Sequence, residues 1–387
     1  MSVTVQPDSD AVAVPGDNQP PLGVHHIWPM RRTQRAFRCA VVETHKYDPA
    51  GHAQLFSKVV GQILTPSVTD LEAPAPDLPE ALDLVTWPEA FLPHDTLVAT
   101  LTQLAEVTDF PCFHVGLRPD HKDETHLFTN EALRGLVEEL SALGAMVASD
   151  LAHFSRWLET AKRGKFGVAC LFFVDARGDL RVCLHPKNTA SPMEIKALPN
   201  DNVTEADFTS IVSLISFDDA TLFPVHIQPV ICSDYLDLNR QVHRPGPLAI
   251  LSSAPGRIGS SAPDHIDIVS VPTCTPHKEQ AAGGLPPRLN WHGDFRSTMT
   301  DMPRVGRFAR HRHAVTVLAN ARRVYGKPAG LSGCFVPLPL PSGAEFPEFN
   351  LVWSWGRQHK RDNEWMPFDK DRPLEGWSSL GPRHPRS

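Results

Sequence analysis

With 387 residues, 41% of them hydrophobic and 21% charged, the chain has a globular composition and ample length for a buried core. A net charge of -7 lacks the basic footprint of a general nucleic-acid binder. No run approaches the roughly 20 apolar residues that cross a bilayer, and no basic start followed by an apolar stretch marks a secretory signal.

Proline is abundant, at 37 residues, and concentrates near both ends and around 250–290, which implies long ordered loops and tails. Seven cysteines is an odd number. Cys39, Cys170, Cys232 and Cys334 lie in apolar, strand-like runs, where thiols are usually reduced and buried, so the expected compartment is cytoplasmic. The basic clusters at Arg31, Arg32 and Arg35 and over 307–313 read as solvated faces.

In chain order, residues 1–34 are rich in Pro, Asp and Gly without apolar periodicity and read as a flexible N-terminal arm. A strand is expected over 36–42, then a helix with Leu55, Val59, Ile63 and Leu64 on one side. Residues 74–79 form a turn-rich connector. An apolar strand over 82–87 is stopped by Pro88 and delivers Glu89 at its end. A helix over 96–107 and a strand over 112–117 follow. Strands alternating with helices imply parallel pairing, because parallel neighbours need a crossover.

Residues 129–163 form a long helical stretch, with Leu133, Leu136, Val137, Leu140, Leu143 and Met146 near three-to-four spacing. Apolar runs over 166–174 and 180–184 flank Asp175-Ala176-Arg177-Gly178-Asp179, a hairpin pattern. Further strands are expected over 225–231, 266–271, 315–319, 334–338 and 349–355. Their even spread favours one large α/β domain over several.

Three strand ends present reactive groups: a carboxylate in Trp87-Pro88-Glu89, an amine in His185-Pro186-Lys187, and a thiol in Val230-Ile231-Cys232-Ser233-Asp234. In α/β sheets functional groups gather at the carboxyl ends of strands, so one crevice can collect all three. Each also has a plainer reading. Cys232 alone is an inert core thiol, Glu89 caps the next helix, and Lys187 is a solvated loop lysine. Arg310-His311-Arg312-His313 and the pair Cys183 and His185 lack zinc-site spacing. The 256–261 segment lacks the ending of a phosphate loop.

The order Glu, Lys, Cys with these neighbours resembles the nitrilase, or carbon–nitrogen hydrolase, superfamily. The resemblance rests on a strand ending in Pro88-Glu89, a hairpin with Gly178 leading to Lys187, and a strand ending in Ile231-Cys232-Ser233-Asp234. It continues through 266–273, through 315–322 with Asn320, and through Gly330-Leu331-Ser332-Gly333, and so covers about residues 36–340. It implies a nitrilase-like four-layer α-β-β-α sandwich over 35–340, paired into a homodimer or larger homo-oligomer.

The resemblance also implies roles. Cys232 is the nucleophile that forms an acyl-enzyme, Glu89 the general base, and Lys187 the oxyanion partner together with the backbone N–H of Ser233. Glu194, seven positions after Lys187, corresponds to the family's second Glu or else is a surface residue. The substrate class is a small-molecule amide, carbamoyl compound or nitrile, with no metal or organic cofactor and no nucleic-acid or membrane partner.

The departures from the pattern are a long Glu89–Lys187 separation, filled by a helical segment near 129–163, and a Pro/Gly-rich insertion near 275–306. Ser233 also stands where the family often has an aromatic or acidic residue. Residues 341–387, with Trp353, Trp355, Trp365 and Trp377, are expected to pack on the body or a partner subunit. A rival reading is a catalytically silent nitrilase-like module that meets a protein partner through the insertions. A third is acyl transfer to an amine.

Overall fold

The β-branched and aromatic runs become strands, and the way these strands pair decides where the reactive side chains sit. The computed structural model describes residues 23–31, 39–44, 49–64, 83–107, 110–119, 126–161, 164–175, 178–191, 194, 208–215, 224–236, 246–248, 251, 263–275, 291–321, 323–324, 327–329, 332–335 and 351–353.

In chain order the first elements are β1 (Gly23–Arg31), β2 (Cys39–Val41), α1 (Pro49–Leu64), β3 (Leu84–Thr86), β4 (Leu92–Pro93), α2 (His94–Leu104) and β5 (Cys112–Arg118). Next come β6 (Phe128–Thr129), α3 (Asn130–Ser141), α4 (Ala145–Thr160), β7 (Lys165–Phe166), β8 (Val168–Val174) and β9 (Leu180–Pro186). The remainder is β10 (Phe208–Ile215), β11 (Val225–Pro229), β12 (Ile268–Pro272), α5 (Trp291–Asp301), β13 (Val315–Ala319), β14 (Arg323–Val324), β15 (Lys327–Pro328), β16 (Gly333–Phe335) and β17 (Leu351–Trp353).

Two large sheets result. The first runs β2-β3-β5-β8-β9, with β4 added on β5. Its β2, β3 and β5 are parallel, as the intervening helices require, and β8 and β9 form the antiparallel hairpin. The hairpin turn is held by Asp175, which receives the Asp179 N–H and pairs with buried Arg181 at 3.0 Å. The second sheet runs β1-β10-β11-β12-β13-β16-β17.

Side-chain alternation sorts the strands' residues between two faces. In β8, Cys170, Phe172 and Val174 join the cluster formed with α1 to α4, while Leu171 and Phe173 join a second cluster. That second cluster includes Val212, Ile227, Ile268 and Val317 of the other sheet, so the two sheets meet face to face. The far side of the second sheet carries Val269, Val271 and Leu318 against Trp291, Phe295 and Met299 of α5.

Several expectations need correction. Residues 23–31, assigned by composition to an arm, form β1, which pairs in parallel with β10. The stretch 129–163 is two helices, broken where Gly144 takes φ +154°. Leu133 and Leu140 of α3 and Leu151 and Phe154 of α4 belong to the main core. Likewise α5 lies inside the supposed Pro/Gly-rich insertion, yet Trp291 and Phe295 are core side chains. β10 was not anticipated. The 74–79 connector, residues 1–22 and the tail beyond Trp353 lie outside the described residues. Among those described, no helix is long and apolar enough to cross a membrane.

A polar seam crosses the inter-sheet layer. His185 on β9 and His114 on β5 share a hydrogen bond of 2.8 Å between their Nε2 atoms. His114 Nδ1 meets Ser270 Oγ on β12 at 2.7 Å, and Ser270 meets Thr86 Oγ1 at 2.7 Å. Burial pushes His114 well below the ordinary histidine range and His185 down to about 3.

Both rings are therefore neutral in the fold, whereas the unfolded chain binds their protons below about pH 6.5. Their stabilising contribution is complete above that pH and is lost as pH falls towards 3. At pH 5 His185 alone is expected to cost about 2 kcal/mol. Urea unfolding at pH 7.5 and pH 5 checks this. The loss should shrink in His185→Gln, and an unchanged pH slope in that variant refutes it.

Candidate active site

Glu89 leaves β3 on a loop clamped between the two sheets. Phe91 N–H donates to Gly116 O at 2.9 Å, Gly116 N–H donates to Pro88 O at 3.2 Å, and Glu89 N–H reaches Thr273 O at 3.3 Å. Only a glycine fits at 116. A Cβ there would lie 2.4 Å from both Ala90 N and Glu89 Cα.

Lys187 follows β9 directly. Its N–H donates to Gly167 O at 2.8 Å, and its stem runs so close to Gly167 that a Cβ there would meet the lysine's Cβ and Cδ at 3.2 Å. The buried Nζ donates to Glu89 Oε1 at 2.8 Å and to Glu194 Oε1 at 2.7 Å. Glu194 is in turn fixed by a reciprocal pair with Ser191. Ser191 N–H donates to Glu194 Oε2 at 2.6 Å, and Glu194 N–H donates to Ser191 Oγ at 3.2 Å. That pair is a capping box.

Cys232 begins a 3-10 turn, Cys232–Tyr235, just beyond β11. Its φ is +47°, in the left-handed region that costs a side-chain-bearing residue roughly 1–3 kcal/mol. Asp234 holds the turn in place. Its Oδ1 accepts from Asn188 N–H at 2.9 Å and Thr189 N–H at 2.7 Å, and its Oδ2 accepts from Ile231 N–H at 3.2 Å. Ser233 Oγ adds a 2.5 Å bond to Thr189 O. The segment after Lys187 and the turn that presents Cys232 are thus laced together.

These residues share one cavity of about 70 Å³, lined by Glu89, Lys187, Glu194 and Cys232 with Leu117, Leu127, Val168, Cys274 and Thr275. Ala90, His126 and Cys232 are the non-glycine residues with positive φ among those described, and all three line it. Backbone strain is therefore gathered at this cavity. Among the described residues no group of three His, Cys, Asp or Glu side chains is arranged to hold a metal ion.

Burial raises the Glu89 carboxyl above its ordinary range. Lys187 and the neighbouring Cys232 thiol hold it down, and Glu194 pushes it further up. Burial would lower Lys187, but Glu194 and Glu89 outweigh that and keep it well above the ordinary lysine range. Burial and the Glu89 charge push the Cys232 thiol well up, against Lys187 and Thr273. At rest Lys187 is therefore an ammonium between the Glu89 and Glu194 carboxyl groups, beside a protonated thiol. Losing the thiol proton to bulk water is costly here, since burial and the Glu89 carboxyl beside it both oppose a thiolate. Handing the proton to Glu89 leaves the local charge unchanged, and this is the economical route.

No family model matches the chain, and no curated protein matches it. Among solved structures it is similar to a crystal structure of an N-terminal amidase with an Asn-Glu-Ala peptide. The TM-score is 0.33 and the identity 7%, over 69% of this chain and 54% of that one. The chain thus spans about half the length of that protein, and the likeness is a distant one of fold only.

Each residue singled out from sequence lies at this cavity or directly behind it: Glu89, Lys187, Cys232 and Glu194 line it, and Ser233 is the next residue in the turn. Other contributors carried no sequence argument. Asp234 stands in the sequence only as the end of the Ile231-Cys232-Ser233-Asp234 motif, and its three N–H partners come from two segments. Thr273, whose hydroxyl lies 3.3 Å from Cys232 Sγ, carries no sequence signal beyond its place at the end of a strand. Cys274 also faces the cavity. A usable signal existed for Glu194, because Ser191-Pro192-Met193-Glu194 has capping-box spacing with Pro at the first helical position.

Proposed function

We propose that this chain is a thiol hydrolase that cleaves a non-peptide carbon–nitrogen bond, built on a nitrilase-like α-β-β-α sandwich. What supports the reading most is the junction of three groups. Lys187 Nζ lies 2.8 Å from Glu89 Oε1, and the Cys232 thiol lines the same cavity as both, close enough to interact with the two charges. A base, a cation and a nucleophile are within reach of one another in a largely apolar cavity.

In this reading Glu89 accepts the thiol proton as the sulfur attacks the carbonyl or nitrile carbon. For an amide or carbamoyl compound, the oxyanion that develops is met by Lys187 and by the Ser233 N–H. When the carbon–nitrogen bond breaks, the departing nitrogen takes the proton from Glu89 and a thioester remains on Cys232. Water then gives its proton to Glu89 and attacks the thioester, and the thiolate leaves and is reprotonated. Glu194 holds Lys187 in place through its own hydrogen bond at 2.7 Å. The cavity's size favours a small acyl group with an apolar flank against Leu117, Leu127 and Val168.

Thiol reactivity tests this directly. With iodoacetamide at neutral pH, peptide mass mapping is expected to find Cys232 carboxamidomethylated well before Cys112, Cys170 or Cys183. The rate should fall in Glu89→Gln. Hydroxylamine added with a panel of small amides and carbamoyl compounds should trap a hydroxamate. Uniformly slow labelling together with no hydroxamate would favour a catalytically silent module instead.

A further inference from the structure

The Cys232 sulfur receives a hydrogen bond from the sheet opposite to the one that carries Glu89 and Lys187. Thr273, just beyond the end of β12, is wholly buried, and its Oγ1 donates to Cys232 Sγ at 3.3 Å. The same oxygen lies 3.2 Å from Thr275 Oγ1. Since the Thr273 proton is directed at sulfur, Thr275 is the donor in that second contact.

Thr275 is held by Asn320 at both backbone groups: its N–H donates to Oδ1 at 3.3 Å, and its carbonyl accepts from Nδ2 at 3.0 Å. Thr273 itself is pinned by its N–H to Ala319 O at 2.9 Å and by its carbonyl to Glu89 N–H at 3.3 Å. The hydroxyls therefore form a directed chain, Thr275 to Thr273 to sulfur, on a backbone with little freedom to turn away.

We infer that Thr273 is a positioning residue for the nucleophile, holding the Cys232 sulfur through its hydroxyl with Thr275 as its backing donor. This deepens the hydrolase reading and rests on it. A neutral hydroxyl suits the task. Lys187 is already engaged by two carboxylates, and a second base beside the sulfur would compete with Glu89 for the proton. A donated O–H strengthens when the sulfur becomes anionic, both on attack and when the thiolate is expelled from the thioester. Thr275 itself forms part of the cavity wall beside Cys232.

The experiment compares Thr273→Val, Thr273→Ser and the wild type by the pH dependence of Cys232 alkylation. Site-resolved mass spectrometry is the readout, with the ultraviolet thiolate difference spectrum against Cys232→Ala as a second one. Thr273→Val is expected to move the Cys232 profile up by about one pH unit and slow neutral-pH alkylation about tenfold, with Thr273→Ser restoring both. An unshifted profile in a folded Thr273→Val protein overturns the inference, since loss of a merely structural hydroxyl would lower the melting temperature only. If Thr273→Val does not fold, Thr275→Val should give a smaller shift in the same direction, and no shift there overturns it equally. Failure of the hydrolase reading looks different: wild-type Cys232 would show no preference over the other cysteines, whatever residue stands at 273.

Discussion

Lys187→Met is expected to lower turnover severely and to destabilise the fold in a strongly pH-dependent way. In the proposed mechanism the ammonium faces the developing oxyanion, and loss of one such donor lowers kcat about 100- to 1,000-fold. It is also the cation between Glu89 and Glu194, at 2.8 and 2.7 Å. Breaking a buried pair by removing one partner costs about 3–5 kcal/mol. Here the upper end is too high, because the two carboxylates retain 15% and 18% exposure and can recover some hydration.

The pH sign follows from what the two carboxyls do without the lysine. With Lys187 gone, burial and the Glu194 carboxyl both raise the affinity of Glu89 for a proton above that in the unfolded chain. The variant's fold is then favoured at pH below the ordinary carboxyl range and loses stability as pH rises through the raised value. Urea melts should show a larger gap from wild type at pH 7.5 than at pH 5. Adding Glu194→Gln should recover part of the stability at pH 7.5 and none of the turnover. A Lys187→Met protein with turnover within tenfold of wild type would sink the assigned role.

Gly116→Ala should be nearly as damaging, although residue 116 presents no side chain to the cavity. The added Cβ would sit 2.4 Å from Ala90 N and Glu89 Cα and 2.7 Å from Glu89 C. All three are backbone atoms, so no rotamer change relieves the clash. Overpacking typically costs about 1–3 kcal/mol, and the upper end is expected here because the loop is held by two hydrogen bonds to the same glycine. The loop must withdraw, and it takes the Glu89 carboxyl away from the thiol. A displacement of about 1 Å lowers catalysis on the order of 100-fold. The readouts are melting temperature, turnover and the Cys232 alkylation rate. Gly135→Ala on α3, where nothing lies within 4 Å of the added Cβ, serves as control and should be neutral or slightly stabilising. Equal effects at the two glycines would refute the clash argument.

Much of the secondary structure was legible because it follows local periodicity. The 315–319 strand matches β13 at both ends, and the 175–179 turn joins β8 to β9 as the Gly178 pattern implies. Helix α1 carries Leu55 and Val59 in its buried stripe. Where the reading failed, composition had displaced periodicity. Proline and glycine around 275–306 drew attention away from Trp291, Phe295 and Met299, which recur every four residues and face the core. Polar residues between the apolar ones in β10 hid its strand pattern. Among the described residues β1 pairs with β10, a strand far along the chain, so its partner is not visible locally.

The chain's own order of residues determined which chemical groups stand at strand ends: a carboxylate after Pro88, an amine after Pro186 and a thiol after Ile231. It also determined that β2, β3 and β5 pair in parallel, since α1 and α2 separate them. Distance was decided elsewhere. Lys187 meets Glu89 only because the β8–β9 hairpin is laid antiparallel beside β5. Thr273 reaches Cys232 only because β12 runs parallel beside β11 in the facing sheet. The left-handed backbone at Ala90 and Cys232 and the dry surroundings that shift their neighbours' protonation come from packing between segments about a hundred residues apart. Burial and strain are properties of the assembled sheets, and no window of sequence contains them.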